Sequence, residues 1–96
     1  MLFHITHVHT PETCPYHNPE KASATFGKML GSAEQLGVKL AGVWIDAPAH
    51  TLYIVVETDS AQKIEEFLAP GLEIGCAETR IVQDGREILK RRAGTE

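Results

Sequence analysis

Most histidines of this 96-residue chain lie near its N-terminus, together with one of its two cysteines. They follow the spacing His7-x-His9-x4-Cys14-x2-His17, and His4 precedes them. Imidazole nitrogens and thiolate sulfurs bind transition metals, and the same groups transfer protons or attack electrophiles near neutral pH. The spacing differs from that of a zinc finger, and the chain has no CxxC or HExxH pattern. The segment is therefore a candidate site to which more than one chemistry is open.

Hydrophobic spacing divides the chain into strands, helices and loops in the order βαββαβ. Alternation from Leu2 to His9 predicts the first strand, and two prolines between residues 10 and 16 predict a loop after it. Asn18-Pro19 has the features of a helix start, and Gly37 those of a helix stop. The other predicted elements are strands at 38–46, 51–58 and 72–82, a helix at 59–68 capped by Asp59, and a short helix or tail at 86–92.

This order of elements is that of the split-βαβ, ferredoxin-like arrangement. We predict a single α+β domain over residues 1–96, with a four-stranded antiparallel sheet in the spatial order 4-1-3-2 and both helices on one face. The third strand has an unbroken apolar run at 52–56, which indicates burial on both of its faces. The sheet face without helices would then need a partner, and a homodimer formed sheet to sheet would bury it.

The predicted topology brings distant residues to one end of the sheet. The first strand runs antiparallel to the third and fourth, so its C-terminal end, with His7 and His9, lies beside the starts of those two strands. His50 directly precedes the third strand, and Cys76 lies near the start of the fourth. Because His7 and His9 are two positions apart on a strand, they share a face, and His4 lies on the other one.

We therefore predict a transition-metal site at this end of the sheet, formed by His7, His9 and His50, with Cys14 or His17 completing it. Nitrogen and sulfur ligands favour zinc or copper, with nickel or iron as alternatives, over magnesium or calcium. Fewer than four protein ligands would suggest catalysis, and four would suggest a structural or storage role. Four further residues are expected near the site: Tyr16, Trp44, Asp46 and Cys76.

The same residues support other interpretations. Cys14 beside His9 or His17 has the composition of a thiolate nucleophile. His50 with Asp46 or Glu12 has that of an oriented acid–base catalyst. A second hypothesis is therefore a cofactor-free enzyme that acts on a small organic molecule. A third is a non-catalytic binding module whose histidines only form hydrogen bonds at a loop-rich edge. The metal content of the pure protein distinguishes the first hypothesis from the other two.

Composition limits the partners and the compartment. A net charge of -4 argues against binding to a nucleic-acid backbone, since phosphate contacts need a basic surface. No stretch approaches the roughly 20 apolar residues of a membrane span. No charged leader with an apolar block follows Met1, so we expect a cytoplasmic protein with reduced thiols. At this length the core is small, and a second copy would add stability.

The element order, the length and the apolar character of both sheet faces resemble those of dimeric α+β barrel proteins. The resemblance covers residues 2–82 and rests on pattern, without a diagnostic residue motif. That superfamily includes muconolactone-isomerase-like enzymes, small cofactor-free monooxygenases and stress-response barrel proteins. The resemblance implies a homodimer with a cleft for a small molecule. It is also compatible with the second hypothesis, a cofactor-free isomerase- or monooxygenase-like enzyme that uses histidine as acid or base. It carries no catalytic residue over to this chain.

Overall fold

The computed structural model describes residues 1–94, two fewer than the predicted domain of 1–96, as a sheet with helices on one face. Its strands are β1 (Leu2–His9), β2 (Lys39–Asp46), β3 (Thr51–Glu57) and β4 (Gly75–Val82). They lie in the order β2-β3-β1-β4, and every neighbouring pair is antiparallel. The structure therefore confirms the predicted ferredoxin-like α+β arrangement and its strand order.

A succession of short helical segments follows the loop after β1. They are α1 (Pro19–Ala22), a π-helical turn (Ser23–Gly27), α2 (Lys28–Gly31) and α3 (Ala33–Leu36). Asn18 begins the succession as predicted, because its side-chain oxygen accepts a hydrogen bond from the N–H of Lys21 at 3.0 Å. Gly37 ends it in the left-handed conformation, with φ of 76°, which glycine adopts without strain.

The second half of the chain differs from the sequence prediction at two points. Its helical elements are α4 (Ala61–Leu68), a 3₁₀ turn (Gly71–Glu73) and α5 (Gly85–Arg92). The expected cap Asp59 instead pairs with Lys63 at 3.2 Å, and Ser60 takes the N-cap position. The last strand begins at Gly75 rather than at residue 72, because the 3₁₀ turn occupies the residues before it. Within residues 1–94, no helix is both long and apolar enough to cross a bilayer.

The hydrophobic core lies between the sheet and the helices. Phe3, Ile5 and His7 of β1 point into it. Met29 of α2 and Phe67 of α4 are fully buried on the same side. Burial of one such apolar side chain contributes roughly 1.5–3 kcal/mol. His7 is the most deeply buried polar side chain among the described residues, because its imidazole is fully buried.

The opposite face of the sheet, called the outer face below, carries apolar and aromatic side chains. Val8 of β1 is 43% exposed, Tyr53 of β3 is 36% exposed and Trp44 of β2 is 57% exposed. Trp44 lies against Gly42, where an added Cβ would collide with the indole ring. In the single chain β3 is therefore buried mainly on its helix side, although its unbroken apolar run predicts burial on both sides.

Candidate metal centre

The end of β1 and the β2–β3 turn bring His9 and His50 together. His9 is the last residue of β1, and its N–H donates to the carbonyl oxygen of His50 at 3.1 Å. The N–H of His50 donates to the carbonyl oxygen of Ala47 at 3.1 Å, which closes a tight turn. The turn holds His50 in the left-handed region, with φ of 51°, a conformation uncommon for a residue other than glycine. The two imidazole centroids lie 5.3 Å apart.

Cys14 reaches the same place through the loop after β1. At the start of this loop, the N–H of Thr10 donates to Thr13 Oγ1 at 3.0 Å, and the N–H of Thr13 donates to the carbonyl of Thr10 at 3.1 Å. At its end, the carbonyl of Pro15 accepts a hydrogen bond from the N–H of Asn18 at 3.0 Å. Local hydrogen bonds therefore hold the loop on both sides of Cys14, a free, half-buried thiol.

One potential ligand atom from each of His9, Cys14 and His50 lies within 4.8 Å of the other two. Three atoms that are at most 4.8 Å apart all lie within about 2.8 Å (4.8/√3) of one common point. Zinc–nitrogen and zinc–sulfur bonds are about 2.0–2.3 Å long. Each of the three ligand atoms would therefore need to move less than about 1 Å to bind a common ion.

Unpaired ring nitrogens fit the requirement of a metal site. The Nδ1 atoms of His9 and His50 are buried, and no hydrogen-bond partner exists for either within the described part of the chain. Buried polar atoms in folded proteins are normally hydrogen-bonded, because leaving one unpaired is costly. A bound cation would satisfy such nitrogens, so the environment of both histidines suits coordination.

The pKa of His9 lies below its ordinary value. Burial is the main cause, because it disfavours the charged ring, and the nearby His7, His50 and Lys21 add electrostatic repulsion. Neutral imidazole is the form that binds a metal ion. His9 is therefore prepared for coordination at neutral pH.

His7 lies beside the three-residue group and makes a different contact. Its Nε2–H donates to the carbonyl oxygen of Gly71 at 2.8 Å, and its ring centroid lies 5.8 Å from that of His9. Its Nδ1 is buried, with no partner among residues 1–94. Gly75 leaves room for the ring, because a Cβ there would lie 2.8 Å from His7 Cε1 and would collide with the carbonyl oxygen of Val8. The role of His7 as a ligand stays a prediction.

Phe26, on the π-helical turn, packs against both histidines of β1. Its ring centroid lies 5.1 Å from that of His7, in an edge-on arrangement, and 5.4 Å from that of His9. A π-helical turn adds a residue to the helical ladder, and such turns frequently occur at functional sites. Sequence spacing predicts Phe26 only as a core residue, because hydrophobic periodicity does not distinguish a core aromatic from one that lines a site.

A cavity of about 530 Å³ opens beside the three-residue group, and all three of its residues line it. Seven other lining residues give it mainly apolar walls: Pro11, Pro15, Ala22, Phe26, Ile45, Ala47 and Leu52. Tyr16 and His17 also line the cavity, with their rings edge-on at 4.7 Å, but His17 is not in the three-residue group. The loop after β1 therefore supplies both a potential ligand and part of the cavity wall.

The remaining residues predicted near the site are not among those that line the cavity. Asp46 ends β2, and its Oδ1 accepts a hydrogen bond from the N–H of Ala49 in the β2–β3 turn at 3.3 Å. Cys76 is exposed and pairs with Val8, so strand alternation places it on the outer face. Trp44 lies on the same outer face, as does His4, in agreement with the strand parity argued from the sequence.

Comparison with known protein families matches residues 1–90 to DUF3303, a domain of unknown function. The chain belongs to this family. None of the curated proteins matches the sequence. The solved structure of SCO4226 from Streptomyces coelicolor A3(2) is similar, with a TM-score of 0.61 and 15% identity over 88% of this chain and 99% of that one. Atu4242 from Agrobacterium tumefaciens gives a TM-score of 0.52 and 17% identity over 90% and 95% of the two chains.

At these identities the two structures share the fold with this DUF3303 protein, and the similarity extends no further. The comparisons are consistent with an α+β domain, and the dimeric α+β barrel stays a prediction. Within this DUF3303 domain, two imidazoles and a thiol line the same mainly apolar cavity. Such a group can hold a metal ion, and in the absence of an ion the neutral imidazole of His9 can accept a proton.

Proposed function

We propose that this protein binds a transition-metal ion through His9, Cys14 and His50. The observation that carries the proposal is the approach of three metal-binding atoms to within 4.8 Å from three separate chain segments. The buried, unpaired Nδ1 atoms of His9 and His50 support it, because a bound cation would remove the cost of leaving a polar atom unsatisfied.

The donor set favours zinc or copper, with nickel and iron as the next candidates. Two imidazoles and one thiolate are too soft for a magnesium or calcium site. Cys14 loses its proton on coordination, so metal affinity is expected to increase with pH. Three protein ligands leave a coordination position for another molecule, which is the arrangement of catalytic zinc centres. We therefore propose a metalloenzyme centre rather than a purely structural one.

Metal analysis of protein purified without a histidine tag tests the proposal. We expect about one ion per chain, and one zinc site when chelator-treated protein is titrated by calorimetry. Cys14→Ser and His50→Ala should each weaken zinc affinity at least about tenfold, since each removes one of three ligands. His4→Ala is the matched control, because His4 lies on the outer face. Metal-free protein that also ignores added zinc, copper and nickel would contradict the proposal.

Metal-free acid–base chemistry is the second candidate. One observation favours it: His9 lines the cavity and has a lowered pKa, which keeps a proton acceptor neutral beside a space for a small molecule. Under this alternative the metal content stays at zero for the wild-type protein and for all variants. The same elemental analysis therefore separates the two candidates.

We also propose that a second copy of the chain covers the outer face. Three strands of eight residues and one of seven, about 4.8 Å apart with a rise of about 3.3 Å per residue, span an area of roughly 500 Å². Two such faces bury about 1,000 Å², the lower limit for a specific interface. Glu78 and Arg80, paired at 2.8 Å on this face, supply both signs of charge, so a two-fold axis can bring opposite charges together.

A further inference from the structure

We propose that the metal centre binds a small molecule with an aromatic body and one anionic oxygen donor, such as a carboxylate or phenolate. This inference rests on the proposed function, because the oxygen would occupy the coordination position left by the protein ligands. It adds the chemical class of the molecule that enters the cavity. Three features of the cavity support it: the position of the ligands, the size and polarity of the walls, and the local charge.

The three residues of the proposed centre all line the same cavity. Zinc in catalytic sites has three protein ligands and takes a water or substrate atom as the fourth. A molecule that enters this cavity therefore meets the ion without any movement of the sheet. His7 closes the core on the side of His9 away from the cavity, since its fully buried ring lies 5.8 Å from that of His9 and does not line the cavity. Access is thus from the cavity side.

The walls of the cavity suit a flat apolar body. Phe26 and Ile45 line it with apolar side chains, and Pro11 and Pro15 stiffen the loop that forms part of the wall. A closed apolar cavity of about 150 Å³ is sufficient for benzene. The cavity of about 530 Å³ lies within the range of small-molecule sites, about 300–1,000 Å³, and accommodates one or two rings with a polar substituent.

Charge favours an anion over a cation as the donor group. None of the described residues that line the cavity is acidic. Lys21 lies close enough to His9 for its charge to act on the imidazole. A divalent ion held by the three residues would add further positive charge. A carboxylate or phenolate is therefore attracted to the site, and an ammonium group is repelled.

The test uses cobalt(II), which occupies zinc-type sites and whose visible absorption depends on its ligands. The first step titrates the chelator-treated full chain with cobalt alone, which tests the proposed function. The second step titrates the cobalt-loaded protein with three probes: 2-naphthoate, acetate and naphthalene-2-carboxamide. We expect 2-naphthoate to change the cobalt spectrum saturably. Its half-saturation concentration should be at least tenfold lower than that of acetate, which lacks the rings, and of the carboxamide, which lacks the charge.

A pair of matched variants tests the wall. Ile45 lines the cavity and is 68% exposed, while Ile81 is 65% exposed on β4 and is not among the lining residues. Both are on edge strands, so both substitutions are expected to fold. Ile45→Gln should raise the half-saturation concentration of 2-naphthoate at least fivefold and leave the cobalt affinity within twofold of wild type. Ile81→Gln should change neither value by more than twofold.

The outcomes separate the two proposals. Failure to bind cobalt overturns the metal site and, with it, this inference. Cobalt binding without a spectral response to 2-naphthoate overturns the inference alone. Equal affinities for 2-naphthoate and acetate, or equal effects of Ile45→Gln and Ile81→Gln, also overturn it, since the apolar cavity would then contribute nothing to recognition.

Discussion

Replacing Gly75 by alanine is expected to destabilise the protein at the end of the sheet that carries the candidate metal centre. Gly75 is paired with His9 between β1 and β4. A Cβ at position 75 would lie 2.8 Å from Cε1 and 3.1 Å from Nε2 of His7, and it would collide with the carbonyl oxygen of Val8. That carbonyl belongs to the sheet backbone and cannot rotate away, so the two strands must separate or twist.

The size of the effect follows from two costs. Overpacking a close-packed interior costs about 1–3 kcal/mol. Movement of His7 also weakens its 2.8 Å hydrogen bond to the carbonyl of Gly71, and an unpaired buried group costs about 1–3 kcal/mol. The two costs arise from one displacement and overlap, so we expect a loss of about 2–4 kcal/mol in the free energy of unfolding. In a domain of this size, that corresponds to a decrease of about 10–25 °C in Tm.

Urea and thermal unfolding, followed by circular dichroism on metal-free protein, measure this loss. Gly31→Ala is the matched control, because a Cβ at Gly31 in α2 meets no atom within 4 Å. In a helix that change is expected to be neutral or to add up to about 1 kcal/mol of stability. A Gly75→Ala variant within about 0.5 kcal/mol of wild type would refute the close packing of His7 against Gly75.

Three further predictions concern the β2–β3 turn, the response to pH and the outer face. His50→Gly and His50→Ala should weaken zinc binding equally, because both remove the imidazole. In urea unfolding of metal-free protein, His50→Gly should be more stable than His50→Ala by about 1 kcal/mol, because glycine accepts the φ of 51°. Equal stabilities of the two variants would exclude strain at this turn. Because burial lowers the pKa of His9 in the folded state, the unfolded chain binds more protons as the pH falls below about 7. The free energy of unfolding of metal-free protein should therefore decrease as the pH falls through about 6.5 and level off below the lowered pKa. Urea titrations at several pH values check this, and His9→Gln should flatten the dependence more than His4→Gln, so equal slopes would argue against it. Trp44→Glu should convert dimers to monomers in size-exclusion chromatography with light scattering, whereas Leu89→Glu, at an exposed position on α5, should not; a wild-type monomer would exclude the sheet-to-sheet dimer.

Much of the fold could be predicted because its signals are local. The alternation of residues 2–9, the helix start at Asn18 and the helix stop at Gly37 are signals that act within a few positions, and the structure has each as predicted. The start of β4 could not be predicted in this way. Its boundary depends on the 3₁₀ turn at Gly71, which packs so closely on the helices that a Cβ there would lie 2.8 Å from Met29 Sδ. Such a contact between distant residues leaves no periodic pattern.

Part of the candidate site could likewise be predicted from the sequence, and part could not. His9 and His50 meet because strand pairing follows from the topology, and the topology could be inferred from the order of elements. The position of Cys14 depends on the hydrogen bonds between Thr10 and Thr13. The spacing of two threonines in a sequence does not predict such hydrogen bonds. The hydrogen bond of His7 to a backbone carbonyl 64 positions away is likewise a product of tertiary packing. Residue types suggest what a site contains, and only the packed chain decides which nitrogens already have partners.

The hydrogen bond from the N–H of His9 to the carbonyl of His50 forms only in the native register of β1 and β3. β1 and β3 pair from Leu2 with Glu57 to Val8 with Thr51. A slip of one residue would turn every side chain of β1 to the opposite face and carry the His9 imidazole away from His50. An ion held by both histidines would stabilise only the native alignment. Metal binding would then select the native register of β1 and β3 during sheet assembly, although the two strands are far apart in the chain.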